Sequence, residues 1–308
     1  MRSTQDILPE IRTQMIQANG LEFEVDTLGS GDRLLLMLHG FPEHSVSWRF
    51  QMSYFAERGY RVWAPNLRGY GNTTVPKRRS DYAIEHLMED VGGLIDVADA
   101  SDVTLVAHDW GAVIAWYFAM RRIRVLDRLI ICNVPHPGPA AKAASWTQLK
   151  KSWYILFFQL PFLPERMLLS SPGMGKMIET SAAAPENFSE AVIGLYDENA
   201  ARPGNISAMI NYYRALVSGG GMRRQRKLGL PMIDVPTLML WGEDDMALSI
   251  ETTYGTEDYV SDLTLRYLPG ISHWVQQDAP RATNEMMEAF LSGEAVPEYD
   301  QVVGSSSE

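Results

Sequence analysis

The chain has 308 residues, of which 46% are apolar and 21% charged, ample material for a large core. Its formal net charge of −11, from 38 acidic against 27 basic residues, argues against nucleic acid or an anionic membrane as a partner. No apolar run reaches the roughly 18 residues of a membrane span, and the opening MRSTQDILPEIRTQM lacks the apolar core of a signal peptide, so a cytoplasmic protein without membrane insertion is expected.

In chain order, a near-continuous apolar run over 34–38 predicts the first strand. His39-Gly40-Phe41-Pro42-Glu43 follows it directly. Gly40 permits an unusual backbone, and the Phe41-Pro42 bond is open to the cis form. Such a turn can aim the Phe41 N–H into a cleft, with His39 as a structural hydrogen-bonder beneath it. A helix is predicted over 48–57, a strand over 61–64, a helix over 84–99 and a strand over 103–107.

That last strand runs into Ala107-His108-Asp109-Trp110-Gly111 and then a helix over 112–120. The small residues at 107 and 111 make a tight strand–turn–helix, the shape of a nucleophile elbow, with a carboxylate at its centre instead of serine. A carboxylate that attacks a saturated carbon leaves an ester, which water can cleave; a serine would leave an inert ether. Asp109 is therefore suited to opening an epoxide or displacing a halide. Its other reading is a cap for the helix that follows. His108 points the opposite way from Asp109 and reads as structural.

A strand is predicted over 129–131, beside the single cysteine, Cys132, which reads as a buried inert thiol. From 138 to 228 the pattern is helical, with no convincing strand. Strands resume over 237–240 and 264–267, and a helix follows over 282–291. Strand–helix alternation with apolar strands predicts an α/β fold: a mostly parallel, doubly wound sheet covered on both faces. The expected organisation is a core over 1–137 and 229–293, an all-helical cap over 138–228 above the strands' carboxyl edge, and a disordered tail over 294–308.

Two further segments follow strands. Trp241-Gly242-Glu243-Asp244-Asp245 supplies acids, and Gly270-Ile271-Ser272-His273-Trp274 a histidine. All three segments lie past strand ends, so one edge of the sheet can gather them. His273 fits a general base on water, with Asp245 the preferred orienting acid; spacing leaves Glu243 and Asp244 open. The backbone N–H groups of Phe41 and Trp110 make a plausible oxyanion hole. Phe41, Trp48, Trp110, Phe157, Phe158 and Trp274 suggest an aromatic pocket for lipophilic substrates. The remaining histidines are scattered without metal-ligand spacing, so neither metal nor cofactor is expected.

These motifs resemble the α/β-hydrolase-fold epoxide hydrolases. The matching pieces are HGFPE at 39–43, NLRGYGNT at 66–73, HDWG at 108–111, NVPHP at 133–137, FQLP at 158–161, NYYR at 211–214, WGEDDMAL at 241–248 and SHWVQQDAP at 272–280. The order nucleophile, acid, histidine is that fold's order. Asn66 stands where the family has Asp, and Arg121-Arg122-Ile123-Arg124 replaces a YPE-type turn. The resemblance implies an epoxide and water as reactants. It also implies that two tyrosines hydrogen-bond the epoxide oxygen: Tyr154 and Tyr213, with Tyr212 the rival for the second. A dehalogenase using the same aspartate and a non-catalytic receptor on the same fold are the alternatives.

Overall fold

The computed structural model describes residues 3–143, 146–170 and 173–304. Eight strands form one sheet: β1 Arg12–Ala18, β2 Leu21–Leu28, β3 Arg33–Leu38, β4 Arg61–Pro65, β5 Asp102–His108, β6 Arg128–Cys132, β7 Thr237–Gly242 and β8 Leu263–Leu268. Their order is β1-β2-β4-β3-β5-β6-β7-β8. β1, β2 and β4 pair antiparallel; every pairing from β4 through β3 to β8 is parallel.

The apolar run of β3 shows why the sheet is covered on both sides. Successive side chains alternate faces. Leu34, Leu36 and Leu38 enter one core with α2 Ile84–Ala98 and α3 Trp110–Arg121. Leu35 and Met37 enter another with α1 Arg49–Ala56 and a later helix, Pro280–Ser292. Within α2, Ile84, Leu87, Met88, Val91, Ile95 and Ala98 are buried, a stripe at helical spacing. The helix stops at Asp99, which takes the left-handed conformation.

The antiparallel pair β1–β2 escapes the sequence reading. Its signal was present: Asn19-Gly20, with φ of 46° and 72°, joins paired Ala18 and Leu21 in a two-residue hairpin turn. The alternation in β1 is weak because it lies at the sheet edge, with four of its residues exposed.

Between β6 and β7 the described residues form the helices α4 Pro137–Lys142, α5 Trp146–Lys151, α6 Trp153–Phe157, α7 Leu163–Leu168, α8 Met174–Ser181, α9 Glu190–Ala201, α10 Asn205–Leu216 and α11 Gly221–Lys227, with a short 3-10 turn at Pro185–Asn187 and a single β-bridge from Ile233 to Val260. After β8 come α12 Val275–Asp278, α13 Pro280–Ser292 and α14 Tyr299–Gly304. The tail expected to be disordered from 294 is thus ordered to 304. Val296 and Val302 are buried, and the Arg266 guanidinium donates to the Val296 and Pro297 carbonyls. Two apolar anchors and one arginine hold a polar segment that composition alone reads as loose. Residues 305–308 of that tail lie outside the described residues.

Candidate active site

Four carboxyl ends of parallel strands bring the site together: β3 leads to Phe41, β5 to Asp109, β7 to Asp245 and β8 to His273. Asp109 sits between β5 and α3 with φ 45° and ψ −119°, a conformation sparsely populated for a side chain other than glycine. Two glycines permit it. A Cβ on Gly40 would lie 2.2 Å from the Asp109 Cβ, and one on Gly111 would lie 2.4 Å from the Leu38 carbonyl oxygen. The turn therefore needs its small residues for close approach.

The Asp109 carboxylate is gripped on both oxygens. Oδ1 accepts from the Phe41 N–H at 2.6 Å, and Oδ2 lies 3.6 Å from His273 Nε2. Trp110 opens α3, so its N–H has no acceptor within the helix. Burial works to raise the Asp109 carboxyl. The neighbouring His273, the His108 charge and the Phe41 N–H outweigh it, and Asp109 is held below its usual value.

His273 Nδ1 meets Asp245 Oδ2 at 2.6 Å. Asp245 is buried, and its Oδ1 accepts from the Ala247 and Leu248 N–H groups at 2.7 and 2.9 Å. Glu243 and Asp244 are exposed, so the alternatives left open by spacing close on Asp245 as the partner of His273. Burial would lower the His273 imidazolium, but the carboxylates of Asp245 and Asp109 reverse that and hold it well above its ordinary value.

Aromatic rings roof the carboxylate. Tyr213 lies edge-on to Trp110 at 4.9 Å, to Phe158 at 4.9 Å and to Phe41 at 5.5 Å, and Tyr154 lies 5.9 Å from it. Burial raises both phenols, and the Asp109 charge raises them further, so both are held protonated. Tyr212 points elsewhere. Its hydroxyl donates to the Arg68 carbonyl at 2.7 Å, and its ring packs on Tyr70 and Tyr82. Among the described residues, no group of three or more His, Cys, Asp or Glu side chains is arranged to hold a metal ion.

Comparison with known proteins shows the family. Residues 33–280 match the model of the alpha/beta hydrolase fold. The chain is 36% identical over 266 residues to epoxide hydrolase 2 of Caenorhabditis elegans, covering 84% of this chain and 74% of that protein. It is 35% identical to human epoxide hydrolase 4, covering 91% and 78%. A crystal structure of an epoxide hydrolase from Bacillus megaterium, in complex with an inhibitor, superposes with a TM-score of 0.82 at 30% identity, covering 91% of this chain and all of that one. The chain belongs to the epoxide hydrolase family of the α/β-hydrolase fold.

Within that family frame, some expected pocket residues move. Trp48 is fully buried in the core across the sheet, beside Met52 and Phe55, and does not line the cleft. It precedes α1, and α1 packs on the face away from Asp109. Trp274 packs behind His273 at 5.0 Å, and its indole N–H donates to Ser181 Oγ at 2.9 Å, so it braces the base. Phe158 is buried against Phe41 at 5.4 Å, and Phe157 is half-buried on the next turn face. The Phe41-Pro42 bond is cis. His39 is the structural group beneath that turn. Its Nε2 accepts from the Leu67 N–H at 3.1 Å, its Nδ1 meets the Gly40 carbonyl at 2.9 Å, and burial lowers the imidazole to about 4.

Two residues escaped the sequence reading. Asn133, at φ 47°, donates from Nδ2 to Asp245 Oδ2 at 2.8 Å, and its Oδ1 accepts from the Gly242 N–H at 2.8 Å. Glu43 is fully buried. It accepts from the Gly40 N–H at 2.9 Å, the Gln276 and Gln277 amides at 3.0 and 2.9 Å, and His108 Nδ1 at 2.7 Å. His108 Nε2 in turn meets the His273 carbonyl at 2.8 Å. Asn66 forms a separate buried knot, donating to Glu24 Oε2 at 2.7 Å and to His44 Nε2 at 3.0 Å. The missing Asp is thus offset by a carboxylate from β2, which a local motif cannot show.

Proposed function

We propose that the chain hydrolyses lipophilic epoxides to vicinal diols through an alkyl ester on Asp109. The observation that carries this reading is one carboxylate held ionised beneath two protonated phenols, Tyr213 buried and Tyr154 half-buried, with His273 Nε2 3.6 Å from its Oδ2. The helical block α4–α11, expected as a cap over 138–228, supplies both phenols from α6 and α10 and so completes the site from above.

An Asp109 oxygen attacks one epoxide carbon from behind and the carbon–oxygen bond breaks. The oxygen leaves as an alkoxide, which Tyr154 and Tyr213 hold and protonate. His273, oriented by Asp245, takes a proton from a water as that water attacks the ester carbonyl carbon. The Phe41 and Trp110 N–H groups hold the tetrahedral oxyanion. Collapse frees the diol with an aspartate oxygen in it and returns a carboxylate containing the water oxygen. A departing halide needs no proton, so the phenol pair favours the epoxide over the haloalkane.

The test is His273→Gln with styrene oxide, followed by intact mass. The adduct accumulates with the mass of the substrate because water is no longer activated. Unmodified protein under conditions where the wild type turns over would contradict the ester.

A further inference from the structure

Residues 153–167 hold six large apolar side chains in solvent: Trp153, Leu156, Leu160, Phe162, Leu163 and Met167. Phe162 is 84% exposed, Leu156 66% and Trp153 61%. Phe162 also takes a left-handed backbone, φ 61°, which costs energy. Soluble monomers seldom expose so continuous an apolar surface without a partner.

The local charge is opposite to that of the chain. Over 142–176 the sequence has five basic residues, Lys142, Lys150, Lys151, Arg166 and Lys176, and a single acid, Glu165, in a chain of net charge −11; Lys142 and Lys176 pair with Asp258 and Glu179, and Lys151 donates to the Asp245 and Leu248 carbonyls, so the cations this face presents are Lys150 and Arg166. Glu165 is turned inward and paired with Arg214 at 2.6 Å. Lys150 and Arg166 are exposed. Arg166 follows Leu163 by three residues and precedes Met167, on the same side of α7. Chain-wide charge argues against an anionic surface as partner, and this segment reverses the argument locally. A second copy docking face to face would set these cations against their own counterparts. An anionic bilayer pairs with both the apolar side chains and the cations. The patch also adjoins the site: α6 carries Trp153 and Leu156 outward, and Tyr154 packs inward beside Tyr213.

We infer that the outer face of α6–α7 is a docking surface for anionic phospholipid bilayers, from which lipophilic epoxides enter the cleft. Docking is peripheral, since among the described residues no helix is long and apolar enough to cross a membrane. The second clause rests on the epoxide reading; the first does not.

The test uses the full chain with phosphatidylcholine vesicles, with and without phosphatidylserine, read by flotation in the absence of substrate. Binding is expected only with phosphatidylserine, weakening as salt rises. Leu156→Asp with Phe162→Asp, and separately Lys150→Glu with Arg166→Glu, should each weaken it by about tenfold or more. Both should turn over dissolved styrene oxide as the wild type does. Absence of binding to either vesicle, or undiminished binding by both variants, overturns the inference. So does sedimentation velocity showing a dimer that the Leu156→Asp, Phe162→Asp variant dissolves. If vesicles bind but no epoxide turns over, the surface stands and the reading of the active site fails.

Discussion

In the proposed reaction a single charge couples the two half-reactions. His273 lies between two carboxylates and is held protonated by both. Ester formation removes the charge on Asp109, and with it one of the influences that raise the imidazole. The base is therefore released at the step that needs it. His273 in the free protein should titrate well above 6.5 by NMR, losing its proton only as pH rises through that elevated value. Single-turnover ester hydrolysis should instead gain its base limb at lower pH, because Asp109 is then neutral. Coincident titrations would show that Asp109 carries no charge influence on His273. That Asp109 and His273 meet was legible in the sequence because both follow strands and one edge of the sheet gathers such segments. Glu43 and Asn133 were not, because each acts on groups 65 or more positions away in the chain: Glu43 on His108, Asn133 on Asp245.

Among the elements, the turn after β5 is the one most tightly specified. Asp109 carries its strain only because β3 and its following loop approach without side chains at Gly40. Gly40→Ala should therefore push the carboxylate out of place. Overpacking of this kind costs about 1–3 kcal/mol, and a displacement near 1 Å costs about a hundredfold in rate. Urea unfolding and styrene oxide turnover should show the second effect as the larger; wild-type activity would contradict the proposed close approach. The central strands were readable because both faces are buried and their sequences are almost wholly apolar, as in β7, where every residue is buried. The edge pair β1–β2 was not, since an exposed edge relaxes the pattern. The choice between Tyr212 and Tyr213 also needed three dimensions, because it turns on which hydroxyl the Arg68 carbonyl already occupies.

For the whole molecule, the division of labour is between a rigid sheet edge that aligns Asp109, His273 and Asp245 and a helical block that brings Tyr154 and Tyr213 over them. Buried neutral histidines set the acid limit of this assembly. Burial lowers His39 and His136 from 6.5 to about 4. A histidine lowered in the folded state leaves the unfolded chain binding more protons, so stability is full above about 6.5 and falls until the folded value is reached. Each contributes a loss on the order of 3 kcal/mol between those limits. Asp26 and Asp90, raised by burial, oppose it in part. Urea midpoints measured from pH 7 to pH 4 should fall steadily; a flat or rising series would contradict the burial of neutral imidazoles.

The covalent step is tested most directly by one turnover with enzyme in excess in heavy-oxygen water. The account predicts a diol without the label and a peptide containing Asp109 made heavier by one labelled oxygen. Label in the diol from that first turnover, with Asp109 unlabelled, would mean that water attacked the epoxide itself and that no ester formed.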